Sequence, residues 1–334
     1  RVSGYDDKQL VLLDRLLDVV QAASFDQQRF ANIRADMIRN LENSVAKRPS
    51  SQVIDDLRES LLHGEWGEQA LIAELQALTL AELQGWIQAF WAGATAETML
   101  YGNYDAAVAE PPALPPLRVT RIAPGESLQY PVEVDHDDAV VGWYLQGRDR
   151  SWHDRAATTL TAHIIKTGFF QQLRTEQQLG YVVSAFSWPQ LDVPGLVLLI
   201  QSPSASAPEV TDAIEAYMGG VVDSLDEEQF LRYRKSLVAE ILRPDKNLWE
   251  RAEFYWQSIA KKEFDFDGRQ QLAAAVEGLT LEDWSAYFSE VFRAQRSSLL
   301  VVAPGSAQAL PEGHGVTVES AAAIKARQGF YTVD

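Results

Sequence analysis

The absences bound the answer first. The 334 residues include no cysteine, which excludes a disulfide framework, a thiolate metal site and a cysteine nucleophile. No apolar run approaches the ~20 residues needed to span a bilayer as a helix. Positive charge is scarce: 29 Lys and Arg stand against 47 Asp and Glu, a net charge of −18. That balance argues against nucleic acid and against an anionic membrane as partner. Histidine is thin as well. The five, His63, His136, His153, His163 and His314, are never spaced four apart with a Glu beside them. What is present is a globular composition, 46% apolar with nine Trp, in a chain long enough for two domains.

Helical periodicity dominates the first hundred residues. Leu10, Leu13, Leu17 and Val20 share one face of a helix over 8–23, and Phe30, Ile33, Met37 and Leu41 one face of a helix from 27, capped by Ser24 or Asp26. Further helices are expected over 52–63, 68–77 and 80–91, with short strands at 1–4 and 97–101. Residues 110–117 then carry four prolines within six positions, an extended, semi-rigid connector. Beyond it, strands are expected at 127–134, 139–146, 181–188 and 195–201. Helices follow over 208–222, 226–242, 248–261, 269–276 and 281–292, then a strand at 297–303 and a looser tail. Trp86, Trp91, Trp249, Trp256 and Trp284 fall on helix faces and read mostly as packing.

The chain also repeats itself. Ser24-Phe-Asp-Gln-Gln-Arg-Phe30 matches Ser224-Leu-Asp-Glu-Glu-Gln-Phe230 at an offset of 200, and Ala77-Leu-Thr-Leu-Ala-Glu-Leu83 matches Gly278-Leu-Thr-Leu-Glu-Asp-Trp284 at 201. In the second copy, strands precede these helices; in the first, their equivalents would lie before Arg1. The expectation is therefore a chain that starts inside its first unit, as a segment of something longer.

One stretch stands apart, residues 168–183. An apolar helix runs into a polar corner, Arg174 to Gln178, after which Leu179-Gly180 leads into a β-branched and aromatic strand. Two readings follow from the residues alone. The guanidinium of Arg174 and the phenol of Tyr181 converge on one site, or Arg174 caps the last helical carbonyls and Tyr181 is an ordinary half-buried strand residue.

The string Phe169-Phe170…Leu173-Arg174-Thr175-Glu176-Gln177-Gln178-Leu179-Gly180-Tyr181-Val182-Val183 resembles a motif in the last domain of the pitrilysin/insulinase metallopeptidases, the inverzincins. Segments on both sides resemble the same family: Asp223-Ser-Leu-Asp-Glu-Glu-Gln-Phe230, Phe254-Tyr-Trp-Gln-Ser-Ile259 and Phe264-Asp-Phe-Asp267 its last domain, and Phe25-Asp-Gln-Gln-Arg-Phe30 and Tyr101-Gly-Asn103 the domain before it. The resemblance implies an α+β fold of two repeated LuxS/processing-peptidase-like units. Each would be an antiparallel sheet with helices on one face, the first unit cut back to its helical end. Residues 1–108 would be the helical part of a third peptidase-family domain, 109–117 the linker and 118–334 a fourth, inactive domain.

Family members hydrolyse peptides with zinc held by an H-x-x-E-H helix motif and a distal Glu. That motif is missing here, and His163, on the helix comparable to the zinc helix, stands alone. The resemblance thus implies no cofactor in this chain, zinc in an N-terminal half of the same polypeptide, and no activity for this chain by itself. It carries over two positions, Arg174 and Tyr181, as donors that hydrogen-bond the substrate backbone and help hold the tetrahedral intermediate. His136 among Asp135, Asp137 and Asp138 reads as a solvated turn. The expected partners are a peptide and the N-terminal half, with neither nucleic acid nor membrane, in the periplasm or, alternatively, the cytoplasm. Two other readings stay open: a non-catalytic scaffold from a degenerate family member, and the peptidase that matures the cofactor PQQ from a peptide precursor.

Overall fold

The computed structural model describes residues 6–21, 25–43, 48–94, 99 and 117–333. The expected strand at 1–4 and all but residue 99 of that at 97–101 lie outside them, as does nearly all of the proline run. The chain divides into two compact units, one comprising Arg1–Ser44 and Glu68–Pro115, the other Val45–Gly67 and Pro116–Asp334. The division is therefore not a single cut at the prolines, since residues 45–67 go with the second unit.

The first unit contributes helices α1 (Asp6–Gln21) and α2 (Gln27–Glu42). Helix α3 (Pro49–Leu61) belongs to the second unit, and α4 (Glu68–Ala77) and α5 (Leu80–Gly93) return to the first. Asp26 caps α2 by accepting the Arg29 N–H at 2.7 Å. Thr79 and Glu82 form a reciprocal capping box at the start of α5. Arg34 reaches from α2 to the Leu78 carbonyl at 2.8 Å, which ties α2 to the turn between α4 and α5.

The second unit is built on a six-stranded sheet in the order β4-β5-β3-β6-β2-β7. Its strands are β2 (Ser127–Pro131), β3 (Ala139–Gln146), β4 (Val182–Ser187), β5 (Gly195–Ser202), β6 (Ser297–Ala303) and β7 (Val316–Thr317). From β4 to β6 neighbours are antiparallel; at the far edge β2 runs parallel to β6 and to β7. A separate antiparallel pair joins β1 (Leu117–Arg121) to β8 (Gly329–Val333), so the tail expected to be loose is ordered and includes α12 (Ala321–Arg327). All residues of β3 and β5 are buried, as expected for central strands covered on both faces.

One face carries α6 (Trp152–Phe169), α7 (Ala207–Gly220), α8 (Glu227–Ile241), α10 (Gly268–Gly278) and α11 (Leu281–Ser289). Trp143, Leu198 and Ile200 from the strands pack there with Leu160, Ile214, Phe230, Trp284 and Phe288 from the helices. Helix α9 (Leu248–Ala260) buries only Ser258. The other face is covered by α3, whose Val53, Leu57 and Leu61 meet Val140, Tyr144, Val197, Leu199 and Val301. A Cβ on Gly142 would come 2.4 Å from the Val53 side chain, so glycine in β3 is what lets α3 lie this close. Thr120 holds the end of the same helix through the Ser60 carbonyl at 2.9 Å.

The α+β expectation thus holds, with a parallel edge and a second helical layer added to it. The repeat is visible in atomic detail. Asp226 caps α8 through the Gln229 N–H, Thr280 and Asp283 box the start of α11, and Arg234 reaches the Leu279 carbonyl at 2.6 Å. The tryptophans divide. Trp284 is fully buried and donates to Thr161 at 3.0 Å, whereas Trp86, Trp249 and Trp256 are exposed, so packing is not the role of most of them.

Candidate functional site at the helix-to-strand corner

Ser151 caps α6, and buried Asp154 in its first turn accepts the Arg148 N–H at 2.7 Å, which fixes where the helix leaves β3. The helix does not stop at its last regular turn. Residues Phe170–Glu176 continue it as a π-helix, a widened turn of the kind frequent at functional positions. Gln177 closes it through the Gln172 carbonyl, and Gln178 adopts a left-handed conformation with φ 53°, which ends the helix and turns the chain toward β4.

Arg174 sits in the last turn of this segment. Its Nη1 donates to the Gly180 carbonyl at 2.7 Å, so the guanidinium reaches forward across the corner instead of back to the helical carbonyls. The backbone N–H of Tyr181 donates to the Gln201 carbonyl at 3.2 Å. A Cβ on Gly180 would stand 2.2 Å from that same carbonyl oxygen; only glycine passes so close to β5. The Arg174 guanidinium thus holds the carbonyl of the residue before Tyr181, whereas the Tyr181 hydroxyl turns to Asp138 and Gln201. Neither enters the apolar cores on the two faces of the sheet, and the ring of Tyr181 is 48% exposed. Phe170, also exposed, lies 5.8 Å from the Arg174 guanidinium carbon.

The phenol does not stand ready as a donor. Its hydroxyl donates to Asp138 Oδ2 at 2.6 Å, and Gln201 Nε2 contacts both that oxygen, at 2.9 Å, and the phenol oxygen. The bond to Asp138 is the largest cause raising the Tyr181 pKa above its ordinary value, with burial next. Asp138 and Gln201 were not foreseen. The signal for Gln201 is legible in retrospect, a polar residue closing the apolar run of β5 with its side chain fully buried. Asp138 hides among the acids of a turn that reads as solvated, yet it is 6% exposed, and His136 Nδ1 accepts its backbone N–H at 3.1 Å.

The residues do not fit a zinc site. His163 on α6 has Thr159 and Thr167 four residues to either side. Its Nδ1 lies 3.6 Å from Glu240, and burial lowers its pKa. Among the described residues no three His, Cys, Asp or Glu side chains come together as metal ligands would.

Comparison with known proteins gives two family models. "Middle or third domain of peptidase_M16" matches residues 1–74, and "PQQ synthase PqqF-like, C-terminal lobe domain 4" matches residues 160–256, which contain the corner. The human insulin-degrading enzyme is 26% identical over 316 residues, 87% of this chain and 31% of that protein. The A-factor-processing enzyme of Saccharomyces cerevisiae is 24% identical over 323 residues, 90% of this chain and 31% of that one. This chain thus spans about a third of the length of the curated relatives it matches. Among solved structures, pitrilysin superposes with a TM-score of 0.83 over 99% of this chain and 38% of its own, at 15% identity. A peptidase M16 inactive domain from Pseudomonas fluorescens gives 0.57 over 94% and 76%, also at 15% identity; both likenesses speak to the fold. With family models over residues 1–74 and 160–256, the extended sequence likeness and the shared fold, this chain belongs to the pitrilysin/insulinase peptidase family and falls within its C-terminal half.

Proposed function

We propose that this chain forms one wall of the substrate chamber of a pitrilysin-like zinc metalloendopeptidase and contributes Arg174 and Tyr181 as contacts to the bound peptide. The supporting observation is the corner itself, where a π-helical turn, a left-handed Gln178 and an obligatory Gly180 hold the Arg174 guanidinium on the Gly180 carbonyl, next in the chain to the half-exposed Tyr181. The guanidinium commits one of its five N–H donors to Gly180. The remaining donors suit a carbonyl oxygen that gains charge as water attacks it. In this reading residues 1–108 are part of a third domain and 118–334 a fourth, and zinc belongs to the N-terminal half of the same polypeptide. Chemistry then requires the two halves to close around a peptide, so this chain alone does not cleave. The −18 charge fits neither nucleic acid nor an anionic membrane as partner, and among the described residues no helix is long and apolar enough to cross a membrane. In this reading the enzyme works in the periplasm, with the cytoplasm as the alternative.

A second reading concerns the substrate. The match of residues 160–256 to the PqqF-like model favours the peptide precursor of PQQ over general peptide degradation. One experiment serves both. The complete polypeptide is assayed on unrelated peptides and on a PQQ precursor peptide, with and without chelator. The same assay is run on Arg174→Ala and Tyr181→Phe. The expected result is chelator-sensitive cleavage, reduced about 10²-fold or more for Arg174→Ala, as for the loss of an oxyanion donor. Wild-type rates in both variants overturn the site. No cleavage of any peptide by the wild type supports the scaffold reading.

A further inference from the structure

A phenol has one proton to give, and at Tyr181 Asp138 takes it. One oxygen lone pair faces Gln201 Nε2. The orientation of Gln201 is fixed from behind: its Oε1 accepts the backbone N–H of Ser50 at 3.1 Å, which leaves only its NH2 to face Asp138 and Tyr181. That Ser50 N–H belongs to the first turn of α3, where helical N–H groups have no partner within the helix. Asp138 and Gln201 are buried while Tyr181 is half exposed. The arrangement is thus a rigid, desolvated cradle holding one end of an exposed side chain. The free capacity left to the phenol is an acceptor.

We propose that Asp138 and Gln201 are positioning residues that hold Tyr181 as a hydrogen-bond acceptor, so that it receives a backbone N–H of the bound peptide while oxyanion donation falls to Arg174. The inference rests on the reading that Arg174 and Tyr181 contact the peptide, and it divides the labour between them. It differs from the expectation that both are donors. Tyr181 then serves binding, and Arg174 the chemical step. The charged groups around the phenol are Asp138, with His136 Nδ1 3.5 Å from its Oδ1, and Arg48, whose charge acts on Tyr181 in the opposite sense to Asp138.

The test uses the complete polypeptide and separates KM from kcat. Losing one such hydrogen bond is worth about 1–1.5 kcal/mol, or roughly a tenfold change. Tyr181→Phe is therefore expected to raise KM about tenfold with kcat within twofold. Asp138→Asn should show the same pattern, and adding it to Tyr181→Phe should change nothing more. A Tyr181→Phe variant that lowers kcat at unchanged KM overturns the proposal, because the phenol would then act in the transition state. Additive effects of the two substitutions also overturn it, because Asp138 would then act elsewhere. Wild-type kinetics in Asp138→Asn with an impaired Tyr181→Phe removes the cradle but leaves the chamber reading standing. Wild-type kinetics in both Arg174→Ala and Tyr181→Phe removes the chamber reading itself. A spectroscopic readout is independent of activity. Ultraviolet titration of wild type minus Tyr181→Phe isolates the Tyr181 phenol, which is expected to ionise above the free tyrosine value and to fall in Asp138→Asn. Should Asp138→Asn not fold, the wild-type titration alone decides, and ionisation at or below the free value overturns the proposal.

Discussion

The two copies of the helical repeat carry the same fastenings and different burial. Asp26 and Asp226 cap equivalent helices, Thr79 and Thr280 open equivalent capping boxes, and Arg34 and Arg234 span to the carbonyls of Leu78 and Leu279. Yet under the offset of 201, Trp86 and Phe90 stand where Tyr287 and Val291 do. The first pair stack on each other and are 60% and 44% exposed, whereas the second pair are buried in the core over the sheet. Local hydrogen bonds are written into a helix and its turns wherever it stands. Burial of its apolar face depends on what lies opposite.

Substitutions at matched positions sharpen that contrast. Tyr287→Ala should cost about 3–5 kcal/mol, the range for emptying an aromatic site in a core, since its hydroxyl also meets Thr158 at 3.0 Å. Trp86→Ala, at the same place in the first copy, should stay within about 1 kcal/mol in the same denaturant titration. Equal costs would break the comparison. The arginine braces predict the opposite symmetry. Arg34→Met and Arg234→Met each remove a charged donor from a carbonyl, and each should cost about 1.5–3 kcal/mol. A large difference between them would show that the brace is not an independent local device.

The smallest effect belongs to the capping boxes. Hydrogen bonds from the Thr79 hydroxyl and backbone hold the Glu82 carboxyl below its ordinary pKa, and Thr280 does the same for Asp283. A carboxyl depressed in the folded state stabilises fully above its unfolded pKa, and its contribution is lost as the pH falls through the folded value. Glu82→Gln and Asp283→Asn should therefore each lower the melting temperature slightly at neutral pH. The gap from wild type should close as the pH falls below the ordinary carboxylate range.

Much of this was readable from residues, for physical reasons. Capping boxes, helix periods and the offset between copies are local and leave local marks. Arg174, Gly180 and Tyr181 could be singled out because a sharp corner needs glycine and a distinctive string surrounds it. The destination of α3 could not be read. Val53, Leu57 and Leu61 give the same helical stripe whichever sheet face they meet, and the complementary mark is one glycine, Gly142, some ninety residues away. The cradle of Tyr181 was hidden for a similar reason. Asp138 and Gln201 lie 63 residues apart, and β3 and β5 align them only through their pairing, Val140 opposite Gln201. Exposed tryptophans misled because a stripe of apolar residues records a helix's capacity to bury, not the presence of something to bury against.

The placement of α3 also bears on how the polypeptide withstands damage. A protease that nicked the proline run would sever the covalent path between α5 and β1, but the amino-terminal piece would still own the helix seated on the sheet through Val53, Leu57 and Leu61. The fragments should stay associated under native conditions and part only in denaturant, so the chain is stapled across its own seam by a helix that sequence order assigns to one side and packing to the other.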